Sequence, residues 1–84
     1  MTKVNVRILD FFDRYNIKRI MDKYGFDENT AMRKFIGSET YQMLTDKDLE
    51  VYTMSPDIVF DMWEVEQITG NPRNSLYLRS DEYV

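Results

Sequence analysis

Three isolated glycines divide this chain, and each stands beside a residue that starts or forbids a helix. Gly25 precedes Asp27, Gly37 is followed directly by Ser38, and Gly70 leads into Asn71-Pro72. Glycine tolerates the left-handed conformation that ends helices, whereas Asp and Ser side chains accept hydrogen bonds from the free amides of a first turn. A fourth signal, Ser55-Pro56, places a cap before a proline at the first helical position, where its missing N–H is no loss. The spacing predicts helices over residues 27–36, 38–44 and 57–69, with residues 46–53 as a loop carrying an apolar patch at Leu49, Val51 and Tyr52. Phe26 is placed to staple against Ala31 at the start of the first of these. Asp57 complements the positive end of the helix dipole in the last of them, the best-defined element in the sequence.

The first 24 residues leave alternatives open. Val4, Ile8, Phe11, Phe12 and Tyr15 fall on one helical face, whereas Ile17, Ile20, Met21 and Tyr24 fall nearly opposite. One straight helix would need two buried faces. A break near Asn16 would solve this, and a short strand through Val4, Val6 and Ile8 is a further option. Residues 16–24 read as helix in each case. At the other end, residues 71–84 read as an extended tail with an apolar run at Leu76–Leu78. The expected architecture is all-α: a small single-domain bundle of three to five short helices over residues 1–84, with an extended N-terminal segment as the open variant and a C-terminal arm.

Eighty-four residues hold one domain and bury only a little over ~60% of the unfolded surface. With 43% hydrophobic residues the chain has enough apolar material for a core, and 31% charged residues favour solubility. There is no Cys, which fits a reducing cytoplasm. No stretch approaches the ~20 apolar residues of a membrane span. Asp10 and Asp13 interrupt the apolar run near Ile8 and Phe12, unlike a signal peptide. The net charge of −4 is unevenly placed. Residues 1–25 carry six basic and three acidic side chains, and residues 38–69 carry eight acidic and one basic. These halves either complement each other or present a charged pole to a partner.

Catalysis finds little support. With neither His nor Cys, the side chains most easily poised near neutral pH are missing. Asp57, Asp61 and Glu64 share one helical face, but such a row more commonly faces solvent than holds Mg2+. Asp46, Asp48 and Glu50 mimic the start of a calcium loop, yet Val51 stands where the sharp turn demands glycine and Asp57 where a bidentate Glu belongs. No glycine-rich phosphate cradle exists. The expectation is a non-enzyme with no cofactor and no metal.

Binding remains. Lys3, Arg7, Arg14, Lys18, Arg19 and Lys23 make the N-terminal third basic, and the alternative function is a small nucleic-acid-associated regulator using it. That reading is disfavoured, because Glu39, Thr40, Tyr41 and Gln42 would head any reading helix around Gly37-Ser38. A protein partner or self-association fits better. The helix at residues 57–69 carries an apolar stripe wider than one core face needs, so Phe60 and Trp63 are either packed on two sides or left as exposed anchors. Six methionines allow gap-filling in the core or an adaptable interface. The candidate contact residues are Trp63, Phe60, Asp57, Asp61 and Glu64, with Tyr77 and Arg79 in a tail whose run at residues 75–79 either adds a strand or arm to a partner or covers this domain's own core.

Ser38-Glu39-Thr40-Tyr41 with Leu44, then Val51-Tyr52-Thr53, then residues 57–62 (Asp-Ile-Val-Phe-Asp-Met) follow an order that resembles a group of short, uncharacterised helical proteins from bacterial genomes. Some of these look like partners of toxins in toxin–antitoxin gene clusters. The resemblance covers about half of the chain. It implies a helical fold and an accessory, antitoxin-like role, and it transfers no functional residue.

Overall fold

The punctuation signals mark real boundaries. In the computed structural model, which describes residues 3–76, four α-helices run in chain order: α1 (Val6–Tyr24), α2 (Glu28–Ile36), α3 (Glu39–Thr45) and α4 (Pro56–Thr69). The fold is all-α. Asp27 accepts the Thr30 amide at 2.8 Å, Ser38 accepts the Tyr41 amide at 3.1 Å, and Ser55 accepts that of Asp57 at 3.1 Å. Gly25 ends α1 at φ +74°, its amide donating to the Met21 carbonyl. Gly37 serves differently: its φ is ordinary, but a Cβ there would come within 2.9 Å of the Arg33 carbonyl oxygen.

The N-terminal region corrects two expectations. There is no break at Asn16 and no strand through Val4, Val6 and Ile8. Helix α1 is continuous for 19 residues. Its buried stripe runs through Phe12, Asn16 and Ile20, flanked by Leu9, Ile17 and Met21, while Val6, Ile8 and Phe11 stay exposed. The phase conflict arose from assuming that every apolar residue is buried and that a polar one is not. Asn16 is 0% exposed, and its Nδ2 donates to the Phe12 carbonyl one turn back at 3.0 Å. Before α1, the Val4 amide donates to the Thr45 carbonyl, which ties residues 3–5 to the end of α3.

Residues 46–53 are not an open loop. They form two short 3-10 turns, Lys47–Leu49 and Val51–Thr53, joined by Glu50 at φ +58°. Val51 is buried and Tyr52 packs against the core, whereas Leu49 is exposed. The first part of the expected C-terminal arm also folds back. Pro72–Asn74 forms a 3-10 turn with Pro72 buried, and it packs on α4.

Helix α4 is the centre of the molecule. It touches α1, α3 and the Pro72–Asn74 turn, so its over-wide stripe is packed on more than one side. Val59, Phe60, Met62 and Trp63 are all buried, joined in the core by Ile20, Phe35 and Leu44. The Trp63 indole donates to the Lys34 carbonyl at 3.0 Å, giving the buried ring the polar partner it needs. Glu66 binds the start of α3, accepting from the Glu39 and Thr40 amides at 2.9 Å and from the Thr40 hydroxyl at 2.7 Å. A side chain from α4 therefore caps a helix 26 residues away in sequence.

Candidate interaction surface

The carboxylate row of α4 lies where α1 crosses it. Arg19 sits one turn before Lys23 on α1, and the two cations meet Asp57 at 2.6 Å and Glu64 at 2.5 Å. Tyr15 donates to Asp57 and Tyr24 to Glu64. The Arg19 guanidinium also lies 4.2 Å from the centre of the Phe60 ring. Asp61, the middle member, accepts from the Ser75 hydroxyl at 2.5 Å. Partial burial of Glu64 opposes its charged form, but the hydrogen bonds from Lys23 and Tyr24 and the charges of Lys23 and Arg19 outweigh this and hold its carboxyl below the usual range. The bond to Glu64, with partial burial, pushes the Tyr24 hydroxyl up to about 12. These carboxylates form a seam between two helices of the same chain.

The other candidates follow from this packing. Phe60 and Trp63 are each 2% exposed and belong to the core, so neither is an exposed anchor. Tyr77 and Arg79 lie outside the described residues. The basic head is also largely paired within the chain: Arg14 meets Asp10 and Lys18 meets Asp22, both at 3.0 Å, besides the two pairs with α4. Among the described residues no group of three or more carboxylates could hold a metal ion, and no helix is long and apolar enough to cross a membrane.

A different surface stands open. Between α1 and α2 lies a groove of about 320 Å³ whose apolar wall is Ile17, Met21 and Met32 and whose rim is Asp13, Arg14, Lys18 and Glu28. Met32 is shared with a second depression of about 350 Å³ that continues along α2 past Arg33 and Ile36 to Gly37. Met32 and Ile36, at i and i+4, are 38% and 42% exposed. Two of the six methionines thus line the groove, and that was the one sequence signal pointing toward it.

Asp13 is the unusual member. Its Oδ1 is buried with no hydrogen-bond partner, and its Oδ2 receives only a long 3.4 Å bond from the Tyr41 hydroxyl. Burial, together with the nearby charge of Asp10, raises the Asp13 carboxyl above its ordinary value despite the Tyr41 bond. Burial and the facing Asp13 carboxylate in turn push Tyr41 up to about 12. Asn16, one turn along the same helix, also has a buried Oδ1 without a partner. No protein-family model matches this sequence, and neither a curated protein nor a solved structure is similar to it.

Proposed function

We propose that this chain is a non-enzymatic protein-interaction module, accessory and antitoxin-like in kind, that engages its partner through the apolar strip on α1 and α2. The observation that carries this reading is the continuity of that strip, which runs from Ile17 and Met21 across Met32 to Ile36. Exposed, contiguous apolar surface rimmed by polar groups is the usual mark of a protein contact, and methionine adapts to irregular partners. The acidic face of α4 is the weaker candidate, because its carboxylates already have partners on α1.

Affinity purification of the tagged chain from its native host tests this. The native chain should recover one partner in stoichiometric amount, and Met32→Glu combined with Ile36→Glu should lose it while the helical circular dichroism stays unchanged. Recovery of no partner, or of the same partner by the double variant, would overturn the reading. Light scattering on the pure chain checks whether that partner is a second copy.

A further inference from the structure

The charges around the α1–α2 groove are of both signs, but they are not equally available. Arg14 and Lys18 are already engaged by Asp10 and Asp22 on their own helix. Asp13 on one wall keeps an oxygen without a partner, and Glu28 on the other wall makes no ion pair or side-chain hydrogen bond among the described residues. The unanswered charge of the groove is therefore negative on both sides of an apolar wall. A ligand that complements it must carry a cation on an apolar stem. Lys and Arg side chains have that construction, since their methylenes lie along apolar surface while the charged head reaches a polar partner.

Resting on the interaction reading above, we propose that the groove receives a basic amphipathic segment of the partner protein. The ammonium or guanidinium of a Lys or Arg meets Asp13 and Glu28, and its stem lies on Ile17, Met21 and Met32. To meet such a cation the Asp13 carboxylate turns out of a position where its Oδ1 is buried without a partner, and it gives up only the long 3.4 Å contact with Tyr41. A charge-assisted bond would replace a weak one.

The test uses the full chain and two acetylated, amidated helical peptides, one of Leu, Ala and Lys and the other with Gln at every Lys position. The methyl signals of Met21 and Met32 are followed by NMR during titration. The Lys peptide should shift both signals saturably and bind at least about tenfold more tightly than the Gln peptide. Asp13→Asn combined with Glu28→Gln should abolish that difference, whereas Asp48→Asn, an exposed carboxylate outside the groove, should preserve it. Equal binding of the two peptides, shifts confined to other residues, or no shift would overturn the proposal. The host partner separates the two claims. If Met32→Glu with Ile36→Glu releases it and Asp13→Asn with Glu28→Gln does not, the interaction reading stands and the basic segment falls. If the apolar pair of substitutions does not release it, the interaction reading itself falls.

Discussion

Asp13 and Glu64 show how position decides what a carboxylate does for a fold. Burial raises Asp13 above its ordinary value of 3.8, so the folded chain holds that proton more tightly than the unfolded chain. Its contribution is most favourable below the unfolded value, and it declines as pH rises through the raised folded value. At neutral pH the ionised group therefore weighs against folding. Asp13→Asn should stabilise the chain at pH 7 by on the order of 1 kcal/mol, with the gain shrinking toward acid pH in urea denaturation. A loss of stability at pH 7 would contradict the assignment. Glu64 is the opposite case, held below its ordinary value of 4.5 by Lys23 and Tyr24 against the effect of burial. Its contribution is present above that value and is lost as pH falls through the folded one. Glu64→Gln should cost about 1 kcal/mol at pH 7 and little in strong acid. A group that destabilises the free protein while facing a groove is also what a binding residue looks like, because selection for a partner tolerates such a penalty.

Among elements, what could be read from the sequence was what is decided locally. The caps at Asp27, Ser38 and Ser55 act within three residues of themselves, and all of them hold. The continuity of α1 could not be read, because it depends on Asn16 finding its partner in the helix's own backbone and on Ile8 and Phe11 staying exposed. Glu66 was equally hidden, since its role as the cap of α3 exists only once α4 has docked. With seven residues, α3 is too short to be stable by itself and depends on its caps and its packing. Glu66→Ala should cost about 1–2 kcal/mol in denaturant unfolding and speed amide exchange in α3 before other helices. Unchanged exchange there would remove Glu66 from this role. The α1–α4 seam should show coupling as well. Arg19→Glu should destabilise, and adding Asp57→Arg should restore part of the loss, a coupling of roughly 0.5–1 kcal/mol for a pair this exposed that fades in high salt. Strictly additive effects would mean that the pair contributes nothing.

At the scale of the whole molecule, part of the basic head meets part of the acidic middle. Helix α1 lies across α4, and its Arg19 and Lys23 answer Asp57 and Glu64, while Arg14 and Lys18 are paired within α1 itself. The carboxylates and aromatics that stood out in the sequence are thereby taken up in holding the fold together. Apart from the methionine content, nothing in the sequence marks the groove between α1 and α2, because no local pattern says which edge of a helix its neighbours will leave uncovered. The most direct measurement is hydrogen–deuterium exchange of the chain alone and in complex with the partner recovered from its host. Protection on binding should concentrate in α2 and in the part of α1 around Ile17 and Met21, with α4 unchanged. Protection concentrated on α4 around Asp57, Asp61 and Glu64, with α2 unaffected, would contradict the assignment of the binding surface.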